Sequence, residues 1–316
     1  MKTVSSSMEE FTSFLEKRGF ELITPLAGDA SLRKFYRLRK GNVDYVLMVY
    51  PEAFDSTLDV IQVYRYLSLI FPLPRIYDVF FEINGILMED AGTVSLERIN
   101  FSERRQYYLK LLRLIFDLVD FGTHLFPRGH LVFSRALDRE RFKKELKFTH
   151  DNFLRKYLKC EIAQELWMEL CEEFLSFINF DGVLQHRDYH SRNIFIKDGC
   201  LYILDYQDTM PGPLVYDLVS LSRDNYVILE DQLRKELEKN FSRRYNVDSF
   251  QLELVSLQRH LKALGTFGFQ IVERKRTYFR NYIKNTLFYL KEEMEKLKSL
   301  KAVKEIRNLF INCKIF

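Results

Sequence analysis

Long apolar runs are missing from these 316 residues, so no segment is expected to cross a bilayer and no membrane partner follows. Cysteine is scarce. Cys160, Cys171, Cys200 and Cys313 show neither CxxC nor Cys/His metal spacing, which leaves a reduced, cytoplasmic setting as the simplest expectation. A strong excess of one charge is also absent: 48 Lys and Arg against 44 Asp and Glu leave +4, which calls for no nucleic-acid partner. Met1 to Ser7 is followed by no apolar stretch of the secretory kind. There is no internal repeat and no low-complexity linker, and nothing in the composition sets an oligomeric state. What the chain does have is 47% hydrophobic residues and many aromatics, 28 Phe and 18 Tyr, enough for a large core and for two lobes.

The informative stretch lies between Gln185 and Asp217. His186-Arg187-Asp188-Tyr189-His190-Ser191-Arg192-Asn193 is followed by Ile203-Leu204-Asp205-Tyr206-Gln207-Asp208. Two β-prone runs, 193–196 and 201–204, flank Lys197-Asp198-Gly199-Cys200, and Asp-Gly is a strong two-residue hairpin signal. With Asp198-Gly199 as the turn, Lys197 pairs with Cys200 and Asn193 with Leu204, and Asp205 falls diagonally beside Asn193. Two hard oxygen donors so placed suit Mg²⁺, which takes few protein ligands and shares the rest with water and phosphates. Asp188, five residues earlier on a loop, is the candidate base. These residue types suit phosphoryl transfer, with Arg187 holding the Asp188 carboxylate ionised and His186 and His190 bracing the loop.

Elsewhere, periodicity predicts mixed strands and helices in the first third and mainly helices after it. Met8, Phe11, Phe14 and Leu15 read as a helix capped by Ser7. Strands are expected over 35–38 and 43–50 around Lys40-Gly41-Asn42, and over 79–83 and 86–88 around Asn84-Gly85, with a helix from Leu58 to Leu67 between the two pairs. Further helices are expected from Ser102, over 139–154 and over 162–178. The Lys- and Glu-rich stretch 291–304 reads as a solvated helix face.

The catalytic stretch resembles the aminoglycoside phosphotransferase and choline kinase superfamily. Three wider segments narrow the likeness to the bacterial anomeric kinases of N-acetylmuramate and N-acetylglucosamine. They are Gly28-Asp29-Ala30-Ser31-Leu32-Arg33, the run from Gly212 through Tyr216-Asp217-Leu218 to Arg223-Asp224, and Gln258-Arg259-His260-Leu261-Lys262. The resemblance spans about Gly28 to Leu290. It implies an α+β fold, two-lobed and protein-kinase-like, with a small β-rich N-lobe over 1–89 that binds nucleotide. A larger, mainly helical C-lobe over 90–316 would be catalytic and bind the acceptor.

That resemblance also implies ATP and Mg²⁺ as cofactors and a hinge at Met88-Glu89-Asp90-Ala91-Gly92 whose Met88, Glu89 and Ala91 meet the adenine; a plain strand end followed by a glycine turn is the other reading. Most such kinases carry a phosphate-contacting lysine about where this chain has Met48. Gly28 and Ser31 backbone groups with Arg33 and Arg37 are the candidate substitutes, unless the arginines are only a solvated strand face. Asp217 would be a buried carboxylate accepting N–H groups from the catalytic loop, or a helix cap. Glu145, Asp208, Arg223 and His260 are the candidate sugar contacts. The implied activity is phosphorylation of the C1 hydroxyl of an N-acetylated amino sugar in cell-wall recycling. The alternatives are a kinase for another small alcohol (an amino-alcohol or an aminoglycoside) and a catalytically silent nucleotide-binding relative.

Overall fold

The computed structural model describes residues 8–26 and 32–316, so the expected cap at Ser7 and the phosphate contacts at Gly28 and Ser31 lie outside the described residues. Helix α1 (Met8–Glu16) packs Phe11 and Leu15 onto one face of an antiparallel sheet. That sheet contains β1 (Glu21–Leu26), β2 (Lys34–Lys40) and β3 (Val43–Val49); α2 (Asp59–Leu67) follows, then β4 (Ile76–Phe80) and β5 (Gly85–Glu89), in the order β1-β2-β3-β5-β4. The β2–β3 turn falls on Gly41-Asn42 as expected, because Lys40 faces Val43 across the ladder.

The β4–β5 connection is a four-residue loop over 81–84, longer than the two-residue turn that the sequence suggests. Phe81–Ile83 is a 3₁₀ turn closed by Asn84 at φ 52°, and Gly85 opens β5 opposite Phe80. Asn84 takes the left-handed position itself. The stretch 79–83 is therefore only partly strand.

Beyond β6 (Val94–Ser95) the chain is mainly helical: α3 (Phe101–Leu125), α4 (Arg139–Thr149) and α5 (Gln164–Leu175) precede β7 (Val183–Gln185). The short strands β8 (Ile194–Lys197), β9 (Cys200–Ile203) and β10 (Met210–Gly212) come next. Helices α6 (Tyr216–Ser222), α7 (Asp231–Tyr245), α8 (Ser249–Val272), α9 (Arg280–Lys296) and α10 (Lys301–Asn312) complete the order. The stretch 291–304 is not one solvated face. It breaks at Leu297–Leu300 between α9 and α10, and Glu293 and Met294 are fully buried. Glu293 is drawn inward by buried His260 and Ser256.

Helix α8 is central and almost wholly buried. Helix α4 continues into π-helical turns over His150–Tyr157, against which α8 lies at backbone distance. A Cβ on Gly265 would stand 2.6 Å from Thr149 Oγ1, and one on Gly268 2.5 Å from the Asn152 carbonyl oxygen. Only glycine allows this approach. Gly268→Ala is expected to lower stability by about 1–3 kcal/mol through overpacking, readable as a fall in the urea midpoint at unchanged m-value.

Three contacts tie the five-stranded sheet to the helical part. Arg37 forms a two-pronged pair with Asp90, Nε to Oδ2 at 2.8 Å and Nη2 to Oδ1 at 3.2 Å. Lys197 Nζ donates to the Asp90 carbonyl at 2.8 Å, and Tyr202 Oη donates to Glu89 Oε1 at 2.7 Å.

Candidate active site

The catalytic loop enters from β7 and leaves into a hairpin whose register matches the turn chemistry. Asp198 and Gly199 sit at φ 51° and 76°, Lys197 pairs with Cys200, and the Leu204 N–H donates to the Asn193 carbonyl at 2.8 Å. Asp205 follows at φ 63°, a left-handed conformation that turns the chain sharply at the open end of the hairpin. The Asn193 Nδ2 donates to the Asp188 carbonyl at 3.0 Å. Its Oδ1 is thereby the amide atom left to ligate. One short chain of contacts thus links Asp188 to Asn193 and Asn193 to the residue before Asp205. Among the described residues no three His, Cys, Asp or Glu side chains gather into a metal cage. Two protein oxygens are enough for an ion that shares its shell with phosphates.

The loop is braced from behind. Asp217, fully buried at the start of α6, accepts the His186 N–H at 2.5 Å and the Arg187 N–H at 2.9 Å, while its own N–H donates to Gln185 Oε1. Asp224 likewise accepts the Ser191 N–H at 2.7 Å and the Tyr226 N–H at 2.8 Å. His186 stacks on Phe71 and meets Tyr189 edge-on, and His190 lies 4.8 Å from the Tyr226 ring. Burial holds His186 down at about 4 and His190 at about 3, although the Asp188 charge nearby works the other way. Both imidazoles are therefore uncharged at neutral pH. Their ring resonances are expected to show no titration in two-dimensional NMR between about pH 5.5 and 8, where an ordinary histidine changes charge.

Asp188 has the opposite character. Burial by itself would raise its carboxyl, but the positive charges of Lys262 and Arg187 outweigh that and hold it far below the usual carboxylate range. Lys262 Nζ, from α8, stands 3.9 Å from Asp188 Oδ1, and the Asp188 side chain keeps 26% exposure. An ionised carboxylate open to an incoming hydroxyl can orient it and take its proton. Arg187 is held in turn by Glu145 at 3.3 Å and Asp208 at 3.9 Å. Arg135 bridges Asp208 at 3.3 Å and Asp59 at 3.0 Å.

Several expected contacts are relocated. Arg223 is 1% exposed and locked between Glu238 at 2.8 Å and Glu253 at 2.7 Å, so it cannot reach a sugar. His260 is also fully buried: Nδ1 lies 2.7 Å from Glu293 Oε1, Nε2 lies 2.9 Å from the Arg223 carbonyl, and the ring stacks on Tyr289. Both are structural. Arg37 is spent on Asp90, and Glu89 on Tyr202 and on the Arg75 backbone, where it accepts the N–H at 3.1 Å. The Glu89 N–H is given to the Arg75 carbonyl, so of the expected hinge contacts Glu89 holds the strand end in place. Met88 pairs with Val46 within the sheet, and Ala91 is buried beside the pinned Asp90.

Arg33 does lie at the site. Its Nη2 is 3.2 Å from Asp205 Oδ1 and its Nη1 3.6 Å from Met48 Sδ, so the guanidinium covers the buried methionine and points at the expected metal side chain. Glu145 and Asp208 also lie beside Arg187, at the mouth of the acceptor side. Sequence reasoning did not single out Lys262, Asp224 or Asp90. The i, i+4 spacing of Gln258, Lys262 and Thr266 on one helical face was the available signal for Lys262.

The chain is similar to known phosphotransferases. The sequence profile of the phosphotransferase enzyme family matches residues 22–251. An N-acetylmuramate/N-acetylglucosamine kinase of Neisseria meningitidis serogroup B is 25% identical, over 87% of this chain and 86% of its own. One of the same name from Pseudomonas aeruginosa is 27% identical, over 78% and 76%. Among solved structures, the aminoglycoside phosphotransferase APH(4)-Ia superposes with a TM-score of 0.60 at 14% identity, covering 90% of this chain and 98% of that one. Choline kinase from Cryptosporidium parvum gives 0.55 at 14% identity, covering 90% and 97%. These likenesses confirm the expected α+β, protein-kinase-like fold, with its β-rich N-terminal sheet and mainly helical remainder. With the profile spanning most of its length, the chain belongs to the phosphotransferase enzyme family.

Proposed function

We propose that the chain is an ATP-dependent kinase that phosphorylates the C1 hydroxyl of N-acetylmuramate or N-acetylglucosamine, serving cell-wall recycling in the cytoplasm. Residues 1–89 form the nucleotide side and residues 90–316 carry the catalytic and acceptor groups. The names of the sugar-kinase relatives, matched over most of their length, support the acceptor class. The observation that carries the chemistry is the Asp188 carboxylate, held ionised by Lys262 and Arg187 on the open side of a braced loop.

Phosphoryl transfer asks a protein for positioning and charge stabilisation more than for covalent work. Asp188 orients the attacking hydroxyl and accepts its proton; an anomeric hydroxyl is more acidic than a plain alcohol, so a carboxylate suffices. Asn193 Oδ1 and Asp205 are the two hard oxygens that would hold Mg²⁺. When bound, that ion neutralises charge on the phosphate oxygens. Arg33 takes the part that a strand lysine plays in other family members, since Met48 fills that place and the guanidinium lies directly on it. Asp217 and Asp224 act only through the loop backbone, by fixing where Asp188 and Asn193 sit.

Two features weigh against other alcohols. Arg192 lies 5.0–5.8 Å from the ring centres of Tyr226, Tyr278, Phe279 and Tyr282, so this aromatic cluster is filled by the chain's own cation and offers no cage for a quaternary ammonium. The wall of the cavity beside Arg187 and Lys262 carries five cations against three carboxylates, a poor host for a polycationic aminoglycoside. The test is incubation with ATP, magnesium and a panel of sugars, amino-alcohols and aminoglycosides, following ADP release. Turnover of N-acetylated amino sugars above all others is expected. Preferred turnover of another alcohol would replace this reading, and nucleotide binding without turnover of any acceptor would favour a silent relative.

A further inference from the structure

The cavity next to the catalytic loop carries two cations to which the sugar-kinase reading gives no role of their own. It encloses about 650 Å³ between α4 and α8, room for an aminosugar, and Arg187 and Lys262 join it to Asp188. Its wall carries five cations: Arg135, Arg141, Lys144, Arg187 and Lys262. Three are answered by carboxylates. Arg135 has Asp59 and Asp208, Arg187 has Glu145, and Lys262 faces Asp188. The other acidic groups of the wall are committed elsewhere: Asp138 caps α4 through the Arg141 N–H at 2.8 Å, and Glu140 pairs with Lys143 at 3.1 Å.

Arg141 and Lys144 remain. Arg141 Nε donates to the Ala136 carbonyl at 3.0 Å, and among the described residues neither side chain makes an ion pair. Three positions apart on α4, they share one face of the helix. Two cations side by side on a cavity wall, not neutralised from within, are matched by an anion on the ligand. Asp188 meanwhile requires a hydroxyl where Arg187 and Lys262 border the cavity.

We infer that the preferred acceptor is an amino sugar bearing a carboxylate away from its reacting hydroxyl, and that Arg141 and Lys144 read that carboxylate. This rests on the sugar-kinase reading and sharpens it: of the two sugars in the relatives' names, N-acetylmuramate, with its lactyl carboxylate, is the one selected. The residues act on binding, so discrimination appears in KM more than in kcat.

The probe that isolates charge from size is N-acetylmuramate against its methyl ester, with N-acetylglucosamine as the truncated sugar. With the full chain, kcat/KM for the acid is expected to exceed that for the ester about tenfold, as a charge-assisted contact implies. The ratio should fall as salt is raised. Lys144→Gln and Arg141→Gln should each shrink it, and Lys144→Arg should keep it. Lys144 is exposed and holds nothing together, so its variant tests the point without endangering the fold. Equal values for acid and ester, or a ratio unmoved in Lys144→Gln, would overturn the inference while leaving the sugar-kinase reading intact. Turnover of none of the three sugars would remove both.

Discussion

Asp188→Asn is expected to lower kcat about 10³-fold while leaving ATP affinity within a factor of a few, because a positioned general base contributes roughly 10²–10⁴-fold. Asparagine keeps the size and the loop's backbone bonds but neither accepts the proton nor answers Lys262 and Arg187. Those two cations then face one another across a neutral amide, which adds a modest stability cost. Single-turnover rates and nucleotide titration separate the two readouts. Unchanged turnover would remove Asp188 from the chemistry, and equal loss of ATP binding would mean that the substitution has collapsed the loop.

Arg33→Ala should be the next largest effect, a roughly 10- to 100-fold fall in kcat/KM for ATP, the range for losing a charged hydrogen bond to phosphate. The argument rests on position. Met48 leaves the sheet without the expected lysine, Arg37 is consumed by Asp90, and Arg33 lies on Met48 with its guanidinium already beside Asp205. That guanidinium gives Asp205 a positive partner at 3.2 Å. Arg33→Lys should recover part of the loss. A second arm places the cation directly: Met48→Lys in the Arg33→Ala background should restore ATP use if the two positions serve one purpose. Full ATP use by Arg33→Ala would assign the phosphates to another group.

What could be read in the sequence was local. Asp198-Gly199 specifies its own turn, and a two-residue turn fixes every pairing outward, so Asn193 and Asp205 could be placed beside one another from spacing alone. For Asp217 the resemblance implied loop support and the sequence left a helix cap equally open, and the structure has it accepting two loop N–H groups. What failed was long-range. Nothing near Arg223 or His260 announces Glu238, Glu253 and Glu293, the acids that bury them, and a polar residue in a functional motif reads the same whether it faces a sugar or a core. The Arg37–Asp90 pair spans 53 residues and was invisible for the same reason. In 291–304 the charges suggested solvent, but Glu293 is held inside by His260 and Ser256.

The most direct test of the central claim is a crystal structure with magnesium and a non-hydrolysable ATP analogue. The account predicts one metal ion bound by Asn193 Oδ1 and an Asp205 oxygen at about 2.1 Å and by the phosphates, with Asp188 facing the γ-phosphate across the acceptor side. A metal held by other side chains, or a triphosphate lying away from Asp188, would contradict it.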